Sequence, residues 1–277
     1  MSATPPLTFL YAPADRPDRV EKALASEADV VLVDLEDAVA PAHKEIARAN
    51  VVRLLGELPA QRRVQVRLNH PSTLWHAADV AALAGLPVAI GARMPKVESG
   101  EEVLALAAAL PGRELHPLIE SALGVERALE IATASPQVAS IGLGEADLRS
   151  DLGVDDEAGL TWARSRLVVA ARAARLVPPA MSAYTHVRDL DGLAASCRAG
   201  RALGFRGRTA IHPAQLATIR AAFLPSAEEV ARAGEVIARV ADATAAGVGA
   251  IALADGTFLD VAMVERARTV LALAERS

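Results

Sequence analysis

The chain has 277 residues, of which 52% are hydrophobic and 3% aromatic, and it carries a formal charge of −5 with a pI near 5.7. Its lysines and arginines are scattered, so the sequence predicts no basic surface for nucleic acid or an anionic membrane, and none of its apolar runs reaches the roughly 18 residues of a membrane span. Its single cysteine, Cys197, excludes an intramolecular disulfide and suggests the cytoplasm, and the N-terminus lacks the pattern of a secretory signal.

Short apolar runs alternate with amphipathic helical segments along the first 213 residues. Eight β/α alternations in about 220 residues predict a parallel sheet closed into a (β/α)8 TIM barrel, although an open doubly wound sheet would show the same alternation. The predicted strands span residues 7–14, 29–36, 63–69, 88–97, 114–121, 138–147, 179–186 and 205–213.

The pattern changes after residue 213. A long helix is predicted over 226–247, with Ser226 as its N-cap and acidic residues in its first turn. A short hairpin or loop follows, and then a final helix. We therefore expect a barrel catalytic domain of residues 1–222 and a C-terminal extension of residues 223–277, which serves as a lid, an oligomer contact or both.

Acidic residues follow several predicted strands at their C-terminal ends, which is the face where barrel enzymes build their sites. The stretch "DVVLVDLEDAV" ends the second strand with Glu36 and Asp37, and Glu120 and Asp147 end the fifth and sixth strands. Burying several neighbouring carboxylates costs free energy unless positive charge compensates them. A set of oxygen ligands without a His or Cys pattern favours Mg²⁺. The sequence therefore predicts an enzyme with a magnesium site.

Other residue patterns narrow the chemistry. Arg67, in "VRLN", matches a substrate carboxylate or thioester oxygen, and it could equally form an ion pair with Glu36. His212 could orient a carboxylate, or it could simply be a packed, hydrogen-bonded histidine. The sequence contains no glycine-rich nucleotide motif and no serine elbow, and Cys197 lies within a predicted helix, which argues against nucleophilic hydrolysis.

Eight sequence blocks, taken together and in order, resemble the citrate lyase β-subunit-like proteins of the HpcH/HpaI aldolase family. The resemblance covers nearly the whole chain. The blocks are "YAPADRPDRVEKAL", "DVVLVDLEDAVAPAHKEIAR", "VRLN", "MPKVES", "PLIESALGV", "GLGEADLRSDLG", "AIHPAQ" and "DGTFLD".

This resemblance implies a barrel in which Glu120 and Asp147 hold Mg²⁺ and Arg67 contacts the substrate. Glu36 and Asp37 would support Arg67 and metal-bound water. The family cleaves or forms a carbon–carbon bond in 3-hydroxyacyl thioesters such as malyl-, citramalyl- or citryl-thioesters. A Mg²⁺-dependent lyase, or the reverse Claisen-type synthase, acting on malyl-CoA or citramalyl-CoA is therefore expected.

The resemblance also implies where coenzyme A binds. Arg16, Arg19 and Lys22, in and after the first loop, would lie near its phosphates. Backbone N–H groups of the segment that contains Gly144 and Ala146 would stabilise developing oxyanion charge.

Family members are commonly trimers or hexamers in which the lid of one subunit covers a neighbour's site. Asp260, in "FLD", matches the lid acid that serves as general acid/base, although it could instead cap the final helix. This sequence departs from the family's commonest residues at Ala146 and at Tyr184, Thr185 and His186, which affects the expected acyl preference. Three alternatives stay open: a citryl-thioester lyase subunit that works on an acyl carrier protein, a thioesterase, and a non-catalytic scaffold barrel.

Overall fold

The structure is a computed structural model that describes residues 5–58, 62–245, 251–252, 258–259 and 261–275. These residues belong to two units, one of Pro5–Arg220 and one that begins at Ala221. No helix in these ranges is long and apolar enough to cross a bilayer.

The first unit is built on a sheet of seven parallel strands in the spatial order β6-β5-β4-β3-β2-β1-β7. Most strand residues are buried, as expected when both faces of a parallel sheet are covered. The predicted α/β fold with a parallel sheet is confirmed. The strands are β1 (Thr8–Pro13), β2 (Val30–Asp34), β3 (Val64–Arg67), β4 (Gly91–Met94), β5 (Leu115–Ile119), β6 (Gly142–Leu143) and β7 (Arg208–Ala210).

The strand predicted over residues 179–186 is reduced to an isolated parallel bridge between Met181 and Arg208. Two prolines, Pro178 and Pro179, precede this bridge and supply no N–H donors, so a regular ladder cannot extend through them. The described strands therefore form a seven-stranded sheet rather than the complete eight-stranded barrel that the alternation predicts.

Helices connect the strands of the first unit. Ser99 and Ser121 begin two of them, because their side chains accept hydrogen bonds from the N–H groups of Glu102 and Gly124. Since all strands run in parallel, their C-terminal ends lie on one side of the sheet, where the predicted acids follow them. The helices are α1 (Pro17–Leu24), α2 (Lys44–Leu55), α3 (His76–Ala84), α4 (Gly100–Ala109), α5 (Ala122–Glu126), α6 (Ala128–Thr133), α7 (Glu145–Leu152), α8 (Thr161–Ala173) and α9 (Leu190–Leu203). The next helix, α10 (Leu216–Phe223), includes the boundary between the two units at Arg220.

The second unit contains α11 (Ala227–Ala245), the antiparallel pair β8 (Ile251–Ala252) and β9 (Phe258–Leu259), and α12 (Val261–Ala274). The predicted N-cap is confirmed, since Ser226 Oγ accepts the N–H of Glu229 at 3.1 Å and the Glu229 carboxylate accepts the N–H of Ser226 at 2.8 Å. Asp260 lies outside the described residues. A small apolar core joins Ala233, Val236, Leu259 and Ala267.

Candidate active site

Four of the predicted acids surround one ammonium group at the C-terminal side of the sheet. We call Glu36, Asp37, Glu120 and Asp147 the acidic ring. Lys96 Nζ lies 2.5 Å from a carboxylate oxygen of Glu36. It lies 3.7 Å from Asp37, 3.7 Å from Glu120 and 3.6 Å from Asp147. The segments after three strands, β2, β5 and β6, thus place four carboxylates around the ammonium group that follows β4.

A buried lysine fixes the loop that carries Glu36. Lys44 Nζ donates hydrogen bonds to the backbone oxygens of Leu35 at 2.6 Å and Glu36 at 2.7 Å, and to Asn69 Oδ1 at 2.7 Å. These bonds hold the backbone after β2 while the Glu36 side chain stays buried. Hydrogen bonding of this kind preorganises a charged side chain before substrate arrives.

Arg67, the last residue of β3, is held chiefly by Asp34. Its Nε and Nη2 donate to the two carboxylate oxygens of Asp34 at 2.8 Å and 2.6 Å, which is a bidentate pair. Its Nη1 lies 2.8 Å from Glu36 and 3.3 Å from Asp37, and its guanidinium lies 5.0 Å from the centre of the Tyr11 ring. The ion pair with Glu36 that the sequence allowed is therefore present, but Asp34 supplies the stronger geometry.

Glu120 is the most deeply placed member of the acidic ring. Its side chain packs against Gly144, where an added Cβ would lie 2.5 Å from Glu120 Cγ. Burial, followed by the negative charge of Glu36, raises the pKa of Glu120 to about 8, and a hydrogen bond with Asp147 acts in the same direction. One carboxylate oxygen of Glu120 is buried without a hydrogen-bond partner. With Glu120 ionised, the site would therefore hold more negative charge than its own cations offset.

These features fit a divalent cation bound by Glu120 and Asp147. Among the described residues, no group of three or more His, Cys, Asp or Glu side chains forms a metal cluster. Mg²⁺, however, usually takes only one or two protein carboxylates and leaves its other positions to water and substrate. A buried Glu120 oxygen without a hydrogen-bond partner and a half-exposed Asp147 meet that requirement, because one ligand is fixed and the other faces solvent.

The residues predicted to contact coenzyme A lie on the surface. Arg16 pairs with Asp18 at 3.3 Å, and Arg19 and Lys22 are exposed on α1. Ala146 is exposed in the first turn of α7, where backbone N–H groups have no partner within the helix. The structure brings none of these four predicted residues into hydrogen-bond contact with the acidic ring, so their roles stay predictions.

His212 and His186 each contact a residue that is close to them in the sequence. His212 Nδ1 accepts the N–H of Ala214 at 3.2 Å, so the expected hydrogen bond is present, but the residue is exposed rather than packed. His186 is exposed and packs edge-to-face against Tyr184, whose hydroxyl donates to Asp189 at 2.6 Å.

Sequence reasoning assigned no role to Asp34 or Lys96. The sequence does show Asp34 at the end of the apolar run, beside Glu36 and Asp37. In the structure it pairs in register with Arg67 across β2 and β3, so both side chains point to the same side of the sheet. Lys96 follows the fourth strand in "MPKVES" with a backbone φ of 53°, which few non-glycine residues adopt. Sequence alone does not reveal that conformation.

Comparisons with known proteins identify relatives of this chain. A family model described as HpcH/HpaI aldolase/citrate lyase matches residues 7–213. A (3S)-malyl-CoA thioesterase from Cereibacter sphaeroides is 37% identical, and the match covers 99% of this chain and 96% of that protein. An L-malyl-CoA/beta-methylmalyl-CoA lyase from the same species is 32% identical over the same shares of the two chains.

Solved structures are similar as well. The protein CitE from Mycobacterium tuberculosis, in complex with magnesium, acetoacetate and coenzyme A, is 34% identical with a TM-score of 0.85, and the match covers 99% of this chain and all of that one. The citrate lyase beta subunit from the same species, complexed with oxaloacetate and magnesium, is 35% identical with a TM-score of 0.71. That match covers 80% of this chain and 98% of that one.

Proposed function

The chain belongs to the HpcH/HpaI aldolase/citrate lyase family, and from that premise we propose that it is a Mg²⁺-dependent carbon–carbon lyase of 3-hydroxyacyl-CoA thioesters. Malyl-CoA and citramalyl-CoA are the substrates we expect, and the reverse Claisen-type condensation uses the same site. The observation that carries this proposal is the convergence of Glu36, Asp37, Glu120 and Asp147 next to Arg67 at the C-terminal side of the sheet.

Each group has a task in this reaction. Glu120 and Asp147 would hold Mg²⁺, which when bound would supply Lewis-acid chemistry to a substrate oxygen. Arg67 offers positive charge to the oxygen atoms of the substrate. Asp34 keeps the guanidinium in place through two hydrogen bonds. Glu36 and Asp37 support Arg67 and would accept hydrogen bonds from water in a metal-bound site. Arg67 therefore stabilises negative charge that develops during cleavage.

Cleavage requires one proton to leave and one to arrive. A base removes the proton of the 3-hydroxyl group, the bond between carbons 2 and 3 breaks, and the electron pair passes to the thioester as an enolate. Protonation of that enolate gives a shorter acyl-CoA, while the other fragment leaves as a 2-oxo acid. Asp260 on the C-terminal extension is proposed as the general acid/base, because the resemblance places a lid acid there and the barrel acids hold metal and arginine instead.

Hydrolysis of the same thioester is the second candidate. The relative that is 37% identical is named a malyl-CoA thioesterase, and the one at 32% a lyase. Both reactions begin from the same bound acyl group, and water at the site decides between them. A citryl-thioester lyase subunit acting on an acyl carrier protein uses similar chemistry with a different carrier.

The products separate these possibilities. Purified protein with Mg²⁺ is incubated with malyl-CoA, citramalyl-CoA and a citryl thioester on coenzyme A or on an acyl carrier protein. A lyase releases glyoxylate, pyruvate or oxaloacetate, respectively, together with acetyl-CoA or the acetylated carrier. A thioesterase releases the hydroxy acid and the free thiol. Turnover of none of these substrates with Mg²⁺ would leave only the scaffold alternative.

Three further parts of the proposal concern architecture. Closure of the sheet into a (β/α)8 barrel is supported by the N–H of Glu145, which donates to Ser182 Oγ at 3.3 Å beside the Met181 bridge. The division into a barrel domain of residues 1–222 and a lid extension of residues 223–277 fits the change of pattern after the barrel. A homotrimer or hexamer in the cytoplasm completes the proposal, and a buried, unpaired Cys197 fits such a reducing compartment.

A further inference from the structure

The ammonium group of Lys96 contacts all four members of the acidic ring, but not equally. Its hydrogen bond to Glu36 is short, at 2.5 Å. Its ion pairs with Glu120 and Asp147 are longer, at 3.7 Å and 3.6 Å. Two of the three longer contacts go to the residues that would hold Mg²⁺ and the third goes to Asp37 at 3.7 Å, whereas the short one goes to Glu36, an acid that supports Arg67. Lys96 thus makes one short hydrogen bond, to Glu36, and longer ion pairs with the other three acids.

The Lys96 side chain is partly exposed, whereas the Glu36 side chain to which it is hydrogen-bonded is buried. Its side chain is 38% exposed, whereas the Glu36 and Glu120 side chains are 8% and 4% exposed. Lys96 lies two residues after the end of β4 at Met94, and its backbone has the left-handed conformation. Rotation about side-chain bonds can therefore withdraw the ammonium from Glu120 and Asp147 without disturbing the strand.

We propose that Lys96 is a resident cation of the acidic ring that competes with Mg²⁺ for Glu120 and Asp147. Metal binding shifts its ammonium toward Glu36 and Asp37, which keep it beside the substrate. This inference rests on the proposed function in one respect, because it takes Glu120 and Asp147 as the metal ligands. It adds a role for a residue to which the sequence assigned none.

The physical reason is mutual repulsion between two cations that share the same carboxylates. Unit charges about 4 Å apart interact strongly near a protein surface, and a divalent ion doubles the effect. In the metal-free protein, Lys96 offsets part of the repulsion among the four acids. In the metal-bound protein, it opposes the metal. Lys96 therefore weakens Mg²⁺ binding while it keeps the empty site assembled.

Calorimetric titration of the metal-free protein with MgCl₂, without substrate and at constant ionic strength, tests this inference. Two neutral variants, Lys96→Met and Lys96→Gln, remove the charge, and Lys96→Arg retains it. Arg175→Met is the matched control, because Arg175 is an exposed basic residue with φ 59°, so it shares the left-handed conformation. Both neutral variants are expected to bind Mg²⁺ at least about tenfold more tightly than the parent. Lys96→Arg and Arg175→Met are expected to stay within about threefold of the parent.

Thermal unfolding gives a second readout. The metal-free neutral variants are expected to melt below the parent, and saturating Mg²⁺ should raise their melting temperatures by more than it raises that of the parent, because tighter binding stabilises more. If the parent binds Mg²⁺ and both neutral variants bind it equally or more weakly, the inference is wrong while the proposed metal site stands. If the parent binds no Mg²⁺, the proposed site fails and this inference fails with it.

Discussion

Arg67 and Asp34 form a bidentate ion pair at the ends of adjacent strands, with hydrogen bonds of 2.8 Å and 2.6 Å. Asp34 is almost completely buried, and it also accepts the N–H groups of Glu36 and Ala38. Asp34 therefore couples the orientation of Arg67 to the loop that carries Glu36 and Asp37. The position of the Arg67 guanidinium at the end of β3 thus depends on a residue of β2.

Arg67→Lys tests whether the bidentate pairing of the guanidinium with Asp34 is needed. A lysine can place only one ammonium near Asp34, so we expect a folded protein with a loss of most activity. The lost charged hydrogen bonds should also cost about 1–3 kcal/mol of stability. Steady-state kinetics and urea unfolding measure the two effects. Arg220→Lys is the control, because it alters an Arg–Asp pair with Asp29 at the N-terminal end of β2. A kcat/KM within about threefold of the parent would make Arg67 structural rather than catalytic.

Glu120→Gln and Asp147→Asn test the metal ligands. Each removes a charged oxygen donor, so we expect Mg²⁺ affinity to fall by at least about tenfold while the fold is retained. Glu120→Gln should cost little stability, since the raised pKa of Glu120, about 8, shows that the metal-free pocket favours a neutral group at pH 7. Calorimetry measures binding, and Glu114→Gln is the control because Glu114 is 73% exposed. Unchanged affinity in both variants would reject the assignment.

Gly144→Ala tests whether the missing side chain makes room for Glu120. The backbone φ of Gly144 is −95°, which alanine adopts freely, so only the contact with Glu120 is at issue. We expect Glu120 to be displaced, Mg²⁺ affinity to fall by about tenfold and stability to fall by about 1–3 kcal/mol. Gly234→Ala is the control, because nothing lies within 4 Å of its added Cβ. Equal Mg²⁺ affinity in Gly144→Ala and the parent would show that the pocket tolerates the methyl group.

The sequence predicted the strands of the sheet better than it predicted the contacts of the site. Apolar periodicity placed seven of eight strands, because burial of both faces demands continuous apolar runs. It overestimated the segment 179–186, where prolines remove the donors that a ladder needs. The convergence of the acids follows from parallel strands ending on one side. The central place of Lys96 could not be foreseen, since it depends on a backbone conformation that residue type rarely signals.

His116 makes stability depend on pH. Burial, and then the positive charge of Arg93, lower its pKa from 6.5 to about 3 in the folded protein. The unfolded chain therefore binds the proton more tightly, so the stability linked to His116 is complete above pH 6.5 and is lost as the pH falls from 6.5 toward 3. At about 1.4 kcal/mol per pH unit, the parent should lose about 2 kcal/mol between pH 7 and pH 5 through this residue.

Urea unfolding of His116→Gln at pH 7 and pH 5 measures this loss. Glutamine cannot take up the proton and can still hydrogen-bond Ser140, which lies 2.8 Å from His116 Nδ1. The variant should therefore lose about 2 kcal/mol less than the parent over this pH range. His186→Gln, at an exposed histidine, should behave like the parent. Equal losses in His116→Gln and the parent would show that His116 is not the group responsible.

The final prediction concerns Asp260, whose two possible roles predict opposite effects of the substitution Asp260→Asn. As an N-cap of the helix that begins at Val261, it should tolerate asparagine, because Asn caps a helix about as well as Asp. As the general acid/base, it should not, because asparagine cannot exchange a proton and general acid–base catalysis is worth about 10²- to 10⁴-fold. We expect Asp260→Asn to keep its melting temperature and its affinity for coenzyme A and to lose about 10²-fold or more in kcat.

Subunit mixing extends this test to the lid. If the extension of one subunit covers the site of its neighbour, some sites in a mixed oligomer will combine an intact Glu120 from one subunit with an intact Asp260 from another. Mixing inactive Asp260→Asn with inactive Glu120→Gln subunits should then restore part of the activity, whereas a site completed within one subunit should gain nothing. Size-exclusion chromatography establishes that mixed oligomers form. Full activity of Asp260→Asn alone would remove this residue from the mechanism, because no proton-transfer role survives the loss of its carboxylate.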